Sequence, residues 1–177
     1  MSVLRQLLAV LLLPFVVVVV VPRWLMDADL PLAAVWSATP TAAIAGRVVG
    51  GALFLAGLAL FAWCVLLFSR VGRGTLAPWD PTRRLVAVGP YRHVRNPMIT
   101  AVATMLAGEA AWNASPRLAA WLLLFVAVNH VYFLVSEEPG LARRFGAEYE
   151  RYRRAVPRWL PRRRAWREDD VAQPSTL

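Results

Sequence analysis

Four long stretches of this chain carry almost no charge, and the polar residues fall between them in blocks. Residues 6–22, between Arg5 and Arg23, are apolar apart from Gln6 and include the run Val16 to Val21. Residues 48–69 and 118–136 are uncharged, and 96–116 holds only Glu109. Each approaches the roughly 20 residues that cross a bilayer as a helix. The pattern therefore predicts an all-α membrane protein with about four transmembrane helices. The first run offers no A-x-A cleavage site after VVVVVVPRW, so it reads as a retained helix, kinked at Pro14. Gly46, Gly50 and Gly57 in the second region are small residues that permit close helix contact.

The charged blocks orient these spans. Arg5, the six arginines from Arg70 to Arg95 and the ten from Arg143 to Arg167 all fall on one side of a four-span arrangement. Arg23, Arg47 and Arg117 fall on the other, together with Asp27 and Asp29. Cytoplasmic loops carry the excess of Lys and Arg. The asymmetry thus predicts a multi-pass protein with both termini in the cytoplasm, in the inner membrane if the source is bacterial. Trp24, Trp36 and Trp112 are expected at the outer interface, and Trp79 and Trp159 at the inner one.

Two polar blocks on the arginine-rich side stand out. Residues 70–96 form a long connection with Gly or Pro at 72, 74, 78, 81, 89 and 90. Loops of that length in compact proteins are usually functional. The GRG at 72–74 lacks a preceding strand and a third glycine, and no strand–helix alternation occurs elsewhere, so no Rossmann domain is expected. In the second block Leu141, Phe145, Tyr149, Tyr152 and Val156 recur at helical spacing. That spacing predicts an amphipathic helix suited to an anionic membrane surface, with arginines on its other face. Glu137 and Glu138 sit where the fourth span ends, and carboxylates there need hydration, a partner or a bound cation.

Composition changes the picture only once the spans are placed. Hydrophobic residues make up 58% of the 177, charged residues 18%, and the mean hydropathy is +0.48. The net charge of +9, carried wholly by arginine, is accounted for by topology and requires no nucleic acid. One cysteine, Cys64, and two histidines, His93 and His130, are too few for a disulfide or a Cys/His metal cluster. No metal site is expected.

The two polar blocks carry a resemblance. GRGTLAPWDPTRRLVAVGPYRHVRNPM followed by EEPGLARRFGAEYERYRRAVPRWLP is similar to the isoprenylcysteine carboxyl methyltransferase family and its phospholipid methyltransferase relatives. The likeness covers roughly residues 70–161. It implies an integral membrane enzyme that uses S-adenosylmethionine without a Rossmann fold, holding the cofactor at the cytosolic face. By matching position, it implies that Tyr91, Asn96, Pro97 and Met98 line the cofactor pocket, with Leu85 and Val86 just upstream. It further implies that Glu137 or Glu138 holds the cofactor's amino group and that His130 contacts it from the fourth span. The sequence departs from the family pattern at Ile99, where Tyr usually follows N-P-x.

The residue chemistry agrees with that implication. Carboxylates suit an amine, Arg suits a carboxylate, and aromatic rings suit adenine and a sulfonium. The expected organisation is a transmembrane hairpin over 1–69, a cofactor-binding region over 70–161 and a polar tail over 162–177. The expected acceptor is lipid-like or membrane-partitioned, with carboxylate O-methylation favoured over amine N-methylation. Two other readings stand beside it: a membrane sterol-type reductase using a nicotinamide cofactor, and a non-catalytic adaptor with a lipid-binding polybasic tail.

Overall fold

The computed structural model describes residues 12–27, 40–71 and 85–167. Trp36, Trp79 and the tail beyond residue 167 lie outside the described residues, as does the 72–84 part of the long connection. The described residues contain helices and no strand. A π-helical turn at Val16–Val20 leads into α1 (Val21–Asp27), followed by α2 (Pro40–Val71). After a 3-10 turn at Gly89–Arg92 come α3 (Pro97–Trp112) and α4 (Pro116–Tyr132). A second π-helical turn, Phe133–Glu137, joins α4 to α5 (Glu138–Phe145), and α6 (Ala147–Ala155) completes the set.

Among the described residues two helical stretches, Pro40–Leu67 and Pro116–Phe145, are long and apolar enough to cross a membrane. Their surfaces are lined with exposed Ile44, Val48, Leu55, Leu58, Leu123, Leu124, Val128 and Val135. Apolar surface on that scale is stable only against lipid. The protein is a membrane protein. The third expected span is the 16-residue α3, about 24 Å long at 1.5 Å per residue and short of a full hydrocarbon core.

Both π turns have the same cause. Proline lacks an N–H and its ring collides with the carbonyl four residues back. Ahead of Pro22 the Val21 N–H reaches back five residues to the Val16 carbonyl, and ahead of Pro139 the Glu138 N–H does the same to Phe133. Widening the turn makes room for each ring. The irregularity in the first helix therefore lies before Pro22 and not at the expected Pro14, which sits in regular helix. It also strips the Val17 carbonyl of a helical donor, because Val21 bonds elsewhere and Pro22 has none to give. The Trp121 indole N–H from α4 fills that gap at 3.1 Å.

The chain divides into two compact units, Met1–Trp63 with Met98–Asn129 and Cys64–Pro97 with His130–Leu177. In the first, α2 and α3 meet backbone to backbone. A Cβ at Gly50 would lie 2.5 Å from the Trp112 nitrogen, one at Gly57 2.7 Å from the Ala101 oxygen, and one at Gly108 2.6 Å from the Phe54 nitrogen. Of the glycines read as permissive, Gly50 and Gly57 are thus obligatory, joined by Gly108 from the facing helix, while a Cβ at Gly46 would lie 3.2 Å from the Ala111 oxygen. Around them Phe61, Ala101, Val102, Met105, Leu106, Leu118 and Phe125 are buried. Ser115 accepts the Leu118 N–H and Pro116 opens α4, so a cap and a proline in the first turn start the returning helix.

In the second unit the amphipathic segment is two helices rather than one. Gly146 takes φ +52° and ψ −127°, a conformation that side chains resist, and it separates α5 from α6. The apolar face is not laid on lipid. Tyr149, Tyr152 and Val156 form a buried cluster with Trp166, against which Leu85, Leu141 and Phe145 pack. Arg143, Arg144, Arg151, Arg153 and Arg154 point outward and are exposed.

Candidate functional site

The second unit gathers most of the residues expected at a site. Its frame is the irregular segment 85–96, held to the C-terminal segment by three backbone bonds. The Arg95 N–H donates to Pro157 O, Arg162 N–H to His93 O and Trp166 N–H to Arg92 O, each at 2.9–3.0 Å. The Tyr152 hydroxyl, buried, donates to the Tyr91 carbonyl at 2.6 Å, tying α6 to the same segment. The His93 ring contributes a further contact, its Nδ1 lying 2.8 Å from the Arg162 carbonyl.

At the centre is an ion cluster. Glu138 Oε1 accepts from Arg95 Nη1 at 2.8 Å and from Arg158 Nε at 2.7 Å, while Oε2 accepts from Arg158 Nη2 at 3.0 Å. The Glu138 side chain is only 7% exposed, so its charge is sustained by these two guanidiniums. Reciprocally, the hydrogen bonds that Arg158 donates to Glu138 push the Arg158 pKa upward. Burial raises Tyr149, with the Glu138 charge adding to it and a hydrogen bond from Arg95 opposing. Burial likewise raises Tyr152 and Tyr91.

Glu137, one residue earlier, is half-buried and has no hydrogen-bond partner among the described residues. Its charge adds, as a lesser cause than burial, to the raised pKa of Tyr91 and Tyr149. The π turn ends on this residue, and π turns recur at functional sites. Donors of the same unit are also unspent, since the buried Nε atoms of Arg92 and Arg95 and the Trp166 indole N–H lack partners among the described residues. Buried donors left open are costly unless a ligand or water takes them.

The expected residues separate into groups. Val86 and Tyr91 are buried, Leu85 packs on the Tyr149–Trp166 cluster, and the Tyr91 hydroxyl contacts the Cys64 thiol. Asn96 is half-buried and already engaged. Pro97, fully buried, opens α3. Met98 and Ile99 are half-buried and belong to the first unit. His130 accepts the Trp159 indole N–H on Nδ1 at 3.1 Å, and the two rings stack. With Nδ1 accepting, the hydrogen of a neutral ring sits on Nε2, which makes that nitrogen a donor and not a base.

Arg158 was missed as a site residue because it falls within an arginine-rich stretch. Its one distinguishing mark is its setting between Pro157 and Trp159, past the helical repeat, where a solvated face has no reason to continue.

Comparison with known proteins places the chain. A family model described as phospholipid methyltransferase matches residues 45–148, more than half the chain. Methanethiol S-methyltransferase 2 from Bradyrhizobium diazoefficiens is 41% identical over 83 residues. That match covers 45% of this chain and 30% of the relative, so the two correspond over a limited part of the larger protein. No solved structure gives a significant match. The matched region runs from the glycine-packed helices through Arg95 and the Glu137–Glu138 pair, and the chain belongs to the phospholipid methyltransferase family.

Proposed function

We propose that this chain is an S-adenosylmethionine-dependent methyltransferase acting at the cytosolic face of the membrane on a membrane-partitioned acceptor. The observation that carries the reading is the asymmetry of the acid pair. Glu138 is saturated by Arg95 and Arg158, whereas Glu137 has no hydrogen-bond partner among the described residues. Glu137 is therefore the group to hold the cofactor's ammonium. The unspent Nε donors of Arg92 and Arg95 suit its carboxylate, and the donor set present fits the group. When bound, S-adenosylmethionine supplies an electrophilic methyl on a sulfonium.

The chain's own residues then supply position. The Arg95–Glu138–Arg158 cluster fixes α5 against segments 85–96 and 156–167, so that Glu137 is presented from a rigid turn. Orientation and exclusion of water are the main contributions such a site makes to a direct displacement. A carboxylate acceptor needs no proton removed. A thiol or amine acceptor must arrive unprotonated or lose its proton to Glu137 or water, because His130 presents a donor.

Two acceptor classes are supported by different observations. The arginine asymmetry and the lipid-facing helices favour an acceptor arriving from the bilayer, with four spans and both termini cytosolic. The relative named for methanethiol favours a small apolar thiol, which also partitions into lipid. The test is calorimetric binding of S-adenosylmethionine and NADPH to the purified protein, followed by methyl transfer to thiol, prenylcysteine and phosphatidylethanolamine acceptors. Glu137→Gln should weaken S-adenosylmethionine binding roughly 10- to 100-fold, the value of a charge-assisted bond of about 1.5–3 kcal/mol. Binding of NADPH alone would move the assignment to a reductase, and binding of neither would leave the adaptor reading.

A further inference from the structure

The first unit contains a cavity that the proposed reaction does not use. It has a volume of about 350 Å³ and is lined by Gly50, Gly51, Phe54, Gly108, Glu109 and Trp112, with Leu55 and Asn113 at its edge. Nearly all of its wall is apolar, and its polar residues are Glu109 and Asn113. The Glu109 Oε2 atom is buried and has no hydrogen-bond partner. None of the described lining residues is a cation. The Asn113 amide nitrogen donates to the Glu109 backbone carbonyl at 2.9 Å and not to its carboxylate. An ionisable side chain among transmembrane helices is expensive, and one without a partner is the mark of a missing ligand.

The surroundings indicate the chemistry of that ligand. Trp112 stands three residues after Glu109, so an indole and a carboxylate share one side of α3. Phe54 faces them from α2. A carboxylate flanked by aromatic rings is the composition that recognises an ammonium group. Gly50 and Gly108, where the two backbones touch, and Gly51, beside the Trp112 ring, form part of its wall. Its volume lies at the small end of ligand pockets, roughly 300–1,000 Å³, which admits a short apolar chain and is too small to enclose a two-chain lipid.

We propose that this cavity is a binding site for a small amphiphilic amine, its ammonium on Glu109 beside Trp112 and its apolar body between Phe54 and the glycine faces of α2 and α3. The site is independent of the acid pair near α5 and of the cofactor proposed there. It gives the protein a point, apart from the proposed cofactor site, at which a cationic amphiphile from the bilayer is held.

The probes are n-octylamine, n-octanol and n-octanoate, matched in chain length and different in head. Unfolding midpoints are measured for the full chain in phosphatidylglycerol nanodiscs, which contain no ammonium lipid. Octylamine at a hundredfold excess over its Kd should raise the midpoint by about 5–10 °C, octanol by less than half as much, and octanoate not at all. Glu109→Gln should reduce the octylamine response to that of octanol, and Gly51→Leu, which fills the cavity, should abolish both. Glu137→Gln should retain the full response, which separates this site from the proposed cofactor site. Equal octylamine responses in the native chain and Glu109→Gln would overturn the proposal, as would loss of the response in Glu137→Gln. Abolition of the response by phosphatidylethanolamine in the discs would assign the cavity to a lipid headgroup and overturn the single-chain assignment.

Discussion

The two units hold themselves together by opposite means. In the first, helices approach until backbone touches backbone, and the residues that matter are those with nothing beyond Cα: Gly50, Gly57 and Gly108. In the second, contact is made by the longest polar side chains available, with Arg95 and Arg158 converging on Glu138 and Tyr152 reaching the Tyr91 carbonyl. The contrast follows from the solvent. Lipid gives no hydrophobic reward for pairing apolar helices, so close dispersion contact must do it. At the polar end, a charge buried as deeply as that of Glu138 is retained because two guanidiniums answer it.

The comparison is broken most directly at the glycines. Gly57→Leu places a side chain against the Ala101 oxygen and the Met105 nitrogen, both backbone. It should cost about 3 kcal/mol or more, read as loss of the monodisperse peak and of cooperative unfolding in detergent. A well-folded Gly57→Leu would show that the first unit tolerates separation and that the contrast is wrong. Next is Glu138→Ala, which leaves two guanidiniums facing one another with no anion between. Breaking a buried pair costs about 3–5 kcal/mol, and the thermal midpoint should fall accordingly while Glu137→Gln leaves it within about 1 °C of the native value. Equal losses in the two variants would erase the distinction between the acids.

Smaller effects sharpen the same contrast. Tyr152→Phe removes the donor to the Tyr91 carbonyl and should cost about 1 kcal/mol, measurable as a shift in the denaturant midpoint. The response to alkali should be smaller still near neutrality and grow with pH. Burial raises Tyr149 and Tyr152 above their ordinary value of 10.0, so the folded chain keeps protons that the unfolded chain has released. Stability contributed this way is intact below pH 10 and falls as pH rises beyond it. Circular dichroism across pH 9 to 12 should show loss of helix there, and Tyr152→Phe should blunt it.

Much of this was legible in residue order. The uncharged runs locate α2, α3 and α4 because lipid demands continuous apolar sequence, and the charge blocks mark the polar unit. The periodicity of Tyr149, Tyr152 and Val156 correctly marks a buried face. What periodicity does not carry is the identity of the cover, which is protein (Trp166 and Leu85) where lipid was expected. The break at Gly146 was open to reading as one more residue of a helix, since a glycine's φ is set by its neighbours in space. The acid pair shows the same limit. EE is symmetric as letters, and only the placement of Arg95 and Arg158, forty-three and twenty residues away, makes Glu138 a strut and leaves Glu137 available.

The wide turn before Pro139 has a consequence for how this chain can vary. It holds one residue more than an α-turn, so the turns before and after it run on separate phases, offset by about 100°. The turn acts as a clutch between two threads cut on one rod. Changes that re-face the apolar thread do not rotate the acidic one, whereas removal of a single residue between Phe133 and Glu137 would re-engage them. That deletion would turn Glu138 off its arginines with every side chain of the cluster still present. Such a chain would have the full complement of site residues in its sequence and no site.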